Sequence, residues 1–193
     1  MHEPKGASTA LLDQVYLSNG AGSGAWSDSS NLYDVSNIKT ETLFTATSVA
    51  SDQQPALLGT ELQVEFGPAQ NTVSDPAMID AAGLITFNAS GTYRLDITAH
   101  YGRTGGAGES ILMSRLLING VQASSSLSAK LTNSDVFLPF SAESWFEVPA
   151  ATTLSYEVIR DSSGNNSGGL FQQLSSDGWS AAPTASVQIS RLS

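Results

Sequence analysis

Gly83-Leu84-Ile85-Thr86-Phe87-Asn88-Ala89-Ser90-Gly91-Thr92-Tyr93-Arg94-Leu95-Asp96-Ile97-Thr98-Ala99-His100-Tyr101 contains two runs of period-two alternation joined by a glycine turn. After Gly91, residues Tyr93, Leu95, Ile97, Ala99 and Tyr101 fall on one face, and Arg94, Asp96, Thr98 and His100 on the other. A helix would scatter these residues around its axis, whereas a strand with one dry and one wet face requires this order. The stretch therefore predicts sheet, and the same alternation recurs nearly to the C-terminus.

Working outward, the pattern predicts strands over 43–48, 61–66, 84–89, 92–103, 110–118, 126–131, 136–139, 144–148, 153–160, 170–174 and 185–192. In 61–66, Leu62, Val64 and Phe66 are expected inside, with Glu61, Gln63 and Glu65 in water. Asn119-Gly120 suits a type I′ turn. No amphipathic helix is evident, and turn signals at this spacing predict an all-β jelly-roll sandwich of about eight to ten strands. Ile111-Leu-Met-Ser-Arg-Leu-Leu-Ile118 is apolar on both faces. Such a strand either lies centrally in a thick core or turns its second face to another subunit. Ile111, Met113, Leu117, Phe137 and Trp145 are accordingly the candidate self-association residues.

Residues 1–36 differ in character. One short apolar run, Val15-Tyr16-Leu17, precedes a Gly- and Ser-rich segment, and too little apolar surface is present to offset ordering entropy. Tyr16, Trp26 and Tyr33 are poor choices for a plain linker, so 1–36 is read as an extended arm that orders against another surface, ahead of a 37–193 sandwich domain.

Composition narrows the function. The chain has 193 residues, 40% of them hydrophobic and only 13% charged, which suits one β-rich domain with an appendage. A net charge of −10 argues against nucleic-acid and anionic-membrane partners. With no cysteine, thiolate metal sites and thiol nucleophiles are excluded. No apolar run is long enough to span a membrane as a helix, and Met1–Gly6 has no apolar signal core.

Motifs for chemistry are weak. Gly20-Ala-Gly-Ser-Gly-Ala25 matches G-x-G-x-x-A, but no helix is expected after it to receive a pyrophosphate. Gly102-Arg-Thr-Gly-Gly-Ala-Gly108 lacks the Gly-Lys-Ser/Thr of a phosphate loop and reads as a hairpin loop. His100 shares a strand face with Asp96, yet no nucleophile elbow or histidine pair accompanies it, so it reads as a surface or interface residue. The many carboxylates read as solvation of the outer faces, and the sequons at Asn88 and Asn165 as chance matches. Residues 161–169 read as a mobile loop tip. No catalytic residue, metal or cofactor is expected.

Leu84-Ile-Thr-Phe-Asn-Ala-Ser-Gly-Thr-Tyr-Arg-Leu-Asp-Ile-Thr-Ala99 resembles the F-x(2-4)-G-x-Y-x-hydrophobic segment of tumour-necrosis-factor-like and complement-globular-head-like jelly rolls. Leu117-Ile-Asn-Gly120, Trp145–Val158 and Ala185–Leu192 resemble that family's downstream order. The likeness spans roughly residues 40–193 and implies a ten-stranded jelly roll that assembles as a threefold bundle. The arm, with Glu3-Pro4-Lys5-Gly6 and Val15–Trp26, is similar to N-terminal segments of tailed-bacteriophage virion proteins such as head fibres and capsid decoration proteins. Together these resemblances imply a phage virion structural protein on the capsid surface, made in the host cytoplasm. It would form a homotrimer and bind the major capsid protein or another virion protein through Glu3, Pro4, Lys5, Tyr16, Trp26 and Tyr33. A tail-fibre head recognising a host surface glycan is the alternative expectation, and a glycan-processing enzyme a distant third.

Overall fold

The computed structural model describes residues 14–18, 24–28, 40–48, 52–133 and 137–192. These fall into two units, one within Met1–Lys39 and one spanning Thr40–Leu192. In the first, β1 (Gln14–Ser18) pairs antiparallel with β2 (Gly24–Asp28), setting Tyr16 directly opposite Trp26. Their rings meet edge to face at 5.4 Å. The expected extended arm thus doubles back over these residues. A directly opposed aromatic pair stabilises a ladder by about 0.5–1 kcal/mol, enough to favour the fold-back locally.

The second unit comprises β3 (Thr40–Ser48), β4 (Leu62–Gln63), β5 (Ala77–Ile79), β6 (Ile85–Phe87), β7 (Gly91–Arg103), β8 (Ser110–Ile118), β9 (Val121–Gln122), β10 (Leu127–Leu131), β11 (Leu138–Val148), β12 (Thr152–Arg160), β13 (Gly168–Leu170) and β14 (Ala185–Leu192). The larger sheet runs β10-β8-β12-β6-β5, with β4 on β12 and β9 on β8. The smaller runs β11-β7-β14-β3, with β13 on β7. Along the chain β3, β7, β11 and β13–β14 belong to the smaller sheet, and the strands between them to the larger. Repeated crossing between two antiparallel layers makes this a jelly-roll β-sandwich.

That crossing corrects one reading. The 83–101 segment is not a hairpin, because β6 lies in the larger sheet and β7 in the smaller. Tyr93 helps set the crossing: its hydroxyl donates to the Ala89 carbonyl four residues back (2.8 Å), and its ring packs on Phe87 at 4.6 Å. The glycine-rich 102–108 stretch, read as a hairpin loop, likewise crosses between sheets, from β7 to β8.

Alternation holds elsewhere. Tyr93, Leu95, Ile97, Ala99 and Tyr101 are buried in the core, while Arg94, Asp96, Thr98 and His100 are only half-buried on the opposite face. Val64 and Phe66 are buried as expected, although the β4 ladder is only two residues long. A side chain takes over the pairing there: Gln53 Oε1 accepts from the Glu65 N–H (2.7 Å), and Gln53 Nε2 donates to the Glu65 carbonyl (2.9 Å). Of the expected strands 136–139 and 144–148, Val136 is outside the described residues and Phe137 lies just before the strand, while residues 138–139 and 144–148 fall in one eleven-residue edge strand, β11. Pro139 is tolerated there because an edge strand leaves one row of its backbone groups outside the ladder.

The two ends of the sandwich differ. Thr40, Gly91, Val148 and Leu192 meet at one end by register, so the chain joins the sandwich there. The strand ends at Ser48, Arg103, Leu131 and Arg160 gather at the other, which we call the loop end.

Two glycines at positive φ provide a test. A Cβ on Gly83 (φ +82°) would lie 2.0 Å from the Val64 carbonyl oxygen, whereas one on Gly120 (φ +74°), in the Asn119-Gly120 turn, meets nothing within 4 Å. Gly120→Ala is expected to cost about 1–2 kcal/mol, the left-handed penalty alone. Gly83→Ala should cost at least about 3 kcal/mol, because backbone must also move. Urea unfolding of both variants measures the contrast, and equal losses would contradict it.

Candidate functional site

The loop end is built around two buried arginines. Arg103 ends β7, and its Nη1 donates to the carbonyls of Gly108, Leu131 and Thr132 while its Nη2 donates to those of Gly105 and Gly106. Gly105, Gly106 and Gly108 all have positive φ, which lets the loop turn its carbonyls inward. A phosphate-binding loop presents N–H groups to an anion; this glycine loop presents carbonyls to a cation. Arg160 ends β12 and donates to the Gly168 carbonyl, Asn166 Oδ1 and Gln54 Oε1. Burial lowers its pKa. Over Arg103 lies an open groove of about 470 Å³, lined also by Asp52, Thr104, Phe137, Phe171, Gln172 and Leu174.

A second surface is the outer face of the smaller sheet. Arg94 lies 3.0 Å from Asp96 and 3.1 Å from Glu143, and its guanidinium sits 5.8 Å from the Trp145 ring centroid. Trp145 Nε1 donates to Glu143 Oε1 at 2.8 Å, so an indole that is 48% exposed is nonetheless held in place. A third feature is the side of the sandwich between edge strands β10 and β11. There Phe140, Ala142, Ser144 and Phe146 are only half-buried, and Leu127 is exposed. A cleft of about 100 Å³ runs inward from Leu127 and Ala142 to Leu95 and Tyr156.

The sequence-expected residues separate onto these surfaces. Ile111 and Met113 are half-buried on the outer face of the larger sheet, and Leu117, on the same face, is buried within the chain. Trp145 lies on the other sheet, and Phe137 at the loop end against Phe171 (6.2 Å). The five therefore form no single patch. Tyr16 and Trp26 meet across the hairpin, while Glu3, Pro4, Lys5 and Tyr33 lie outside the described residues. Most of the 20–25 glycine motif is also outside them, and its last two residues, Gly24 and Ala25, are in strand β2 rather than a helix. His100 Nδ1 hydrogen-bonds the Pro183 carbonyl, and the Asp96 carboxylate engages Arg94, so the two do not form a dyad. Both sequon amides are already engaged, Asn88 with the Thr72 and Asp75 carbonyls and Asn165 with that of Ala107. Among the described residues no group of three His, Cys, Asp or Glu side chains could hold a metal.

Sequence reasoning missed the groove, because Asp52, Phe137 and Gln172 are far apart in the chain. It also missed Trp179, which is 81% exposed beyond the Asp177-Gly178 turn. A lone tryptophan after Asp-Gly in a Ser-rich loop was the available signal.

No protein-family model matches this chain, and no curated protein matches it. Among solved structures it is similar to the "Globular Domain of Zebrafish Complement 1qA protein", at 14% identity and a TM-score of 0.40, over 76% of this chain and 93% of that one. So loose a likeness carries no functional weight, and the jelly roll rests on the strand order and register given above.

Inside the core, the Tyr101 hydroxyl donates to Ser114 Oγ (2.9 Å) and contacts the Tyr156 hydroxyl (2.5 Å), tying the sheets together. Burial raises the pKa of both phenols above the ordinary 10.0, and for Tyr156 the neighbouring Tyr101 adds to the rise. Unfolded phenols ionise near that value while the folded ones stay protonated. This contribution is therefore complete below about pH 10 and is lost as pH rises through the folded values. Tyr156→Phe is expected to lower stability at neutral pH by about 1 kcal/mol and to flatten the alkaline decline. Denaturant midpoints between pH 7 and 11 check it, and an unchanged decline would count against it.

Proposed function

We propose that this chain is a virion surface protein, a capsid decoration protein or head fibre, whose jelly roll self-associates as a homotrimer and whose residues 1–36 attach it to the particle. The observation that carries attachment is the β1–β2 hairpin. A two-stranded sheet of ten residues is marginal in water, and this one carries a Tyr16–Trp26 pair suited to the centre of an interface. The resemblance of the arm to phage virion proteins supplies the identity of the surface. Function here is binding by buried area, and three arms on one trimer would convert weak contacts into firm attachment through effective concentration.

Self-association is supported by the shape of the sandwich. A cyclic trimer joins two different patches on each copy. The half-open β10/β11 side and the fixed Trp145 on the smaller sheet are two such patches. A receptor-binding head is the second reading, favoured by the exposed Phe137, Leu174 and Trp179 at the loop end.

Deleting residues 1–30 is expected to abolish co-sedimentation with phage particles assembled without the protein, while Trp26→Ser weakens it at least tenfold. Retained binding after the deletion would sink the attachment role. Sedimentation velocity should give a trimer at micromolar concentration that Trp145→Ser shifts towards monomer. A wild-type monomer would overturn the trimer.

A further inference from the structure

The loop-end groove combines features that suit one class of ligand. Its apolar wall is Phe137, 41% exposed and propped edge-on by buried Phe171, with Leu174, 69% exposed. The polar groups beside it are Asp52, Thr104 and Gln172. Asp52 Oδ1 accepts the Gln172 N–H at 3.1 Å, which fixes the carboxylate while its second oxygen has no partner among the described residues. Beyond Leu174 the chain forms a narrow antiparallel ribbon, with Gln173 opposite Ala182 and Ser176 opposite Trp179. That register puts Leu174, Ser176, Trp179 and Ala181 on one face. The face that carries Leu174 at the groove therefore also carries Trp179 near the tip of the ribbon, with Ser176 opposite it.

A pyranose ring presents C–H faces and a rim of hydroxyls, so its recognition needs an aromatic or aliphatic wall together with hydrogen-bonding groups that both accept and donate. A carboxylate accepts, a primary amide does both, and a threonine hydroxyl does both. The chain's net charge of −10 and the Asp52 carboxylate disfavour a polyanion. A purely apolar ligand would strand these polar groups.

We propose that the loop-end groove binds a neutral oligosaccharide, with one sugar ring against Phe137 and Leu174, its hydroxyls on Asp52, Gln172 and Thr104, and a following sugar against Trp179. This deepens the receptor-head reading and is independent of the arm. The groove also lies at the end of the sandwich opposite the one where the chain enters at Thr40.

The test uses the full chain on a printed array of neutral hexose and N-acetylhexosamine oligosaccharides alongside sialylated and sulfated ones. Retention of neutral glycans is expected, followed by titration of the best binder. Phe137→Ala and Asp52→Ala should each weaken that affinity at least tenfold and Trp179→Ala several-fold. Val121→Ser, an exposed position beside the Asn119-Gly120 turn at the other end, should bind as wild type. Indole fluorescence gives a second readout that does not depend on affinity: ligand should change the emission of wild type but not of Trp179→Phe. No retention of neutral glycans, retention only of anionic ones, or affinity unaffected by the three groove substitutions would each overturn the proposal. Cell binding by the full chain separates the two readings. Groove variants that still bind cells would leave the receptor reading standing without this site. Glycan binding without cell binding would leave the site standing without that role.

Discussion

Every time the chain crosses between the two sheets, backbone N–H and C=O groups leave one ladder before they reach the next, and buried ones must find partners. This constraint governs the loop end of the sandwich. Gln53 meets it most fully. Its backbone exchanges two hydrogen bonds with Leu170, and its carboxamide pairs with the N–H and carbonyl of Glu65 and with Thr184 Oγ1. One glutamine thus serves three segments far apart in sequence. It also explains how β4 can be so short while Val64 and Phe66 remain buried.

Arg103 and Arg160 extend the same solution with charge. Both are nearly fully buried, and their hydrogen bonds run to carbonyl and carboxamide oxygens rather than to a carboxylate. A buried ion usually costs more than it returns unless its donors are well matched. The planar guanidinium can serve several carbonyls at fixed directions, which an ammonium cannot. For Arg103 the two Nη groups are matched largely through glycines able to adopt positive φ, so the arginine and the 105–108 loop specify each other, while its buried Nε has no partner among the described residues. Replacing either half would leave carbonyls or a cation without partners.

Much of this architecture was legible because alternation is a local signal. Tyr93 to Tyr101 face inward as their spacing requires, and β8 and β14 have the limits the pattern gives. The Asn119-Gly120 turn was equally readable, since positive φ at both residues is a chemical requirement of that turn. Which sheet a strand joins was not readable. Nothing in 88–91 says that β6 and β7 pair with different neighbours; the Tyr93 hydroxyl and the positive φ of Gly91 acquire meaning only once the crossing is known. The groove was illegible for a related reason. Its residues come from four separated segments, and each is unremarkable alone. Arg103 sits inside a glycine-rich motif of the composition that anion-binding loops share, yet this loop turns carbonyls to a cation, which composition alone does not reveal.

The same bonds that satisfy the crossings also fix the groove before any ligand arrives. Asp52 adjoins Gln53, whose backbone is tied to Leu170. Phe171 follows Leu170, is itself buried, and donates its N–H to the His100 carbonyl. Gln172 is held in turn by Asp52. Groups fixed in this way lose little further freedom on binding, so weak individual contacts can still yield measurable affinity. Leu174 and Trp179 are held differently, by a ribbon with only two isolated bridges. The groove should therefore select the first sugar by fit, while the ribbon adapts to the next. Specificity would reside in Asp52, Phe137 and Gln172, and tolerance to chain length in Trp179.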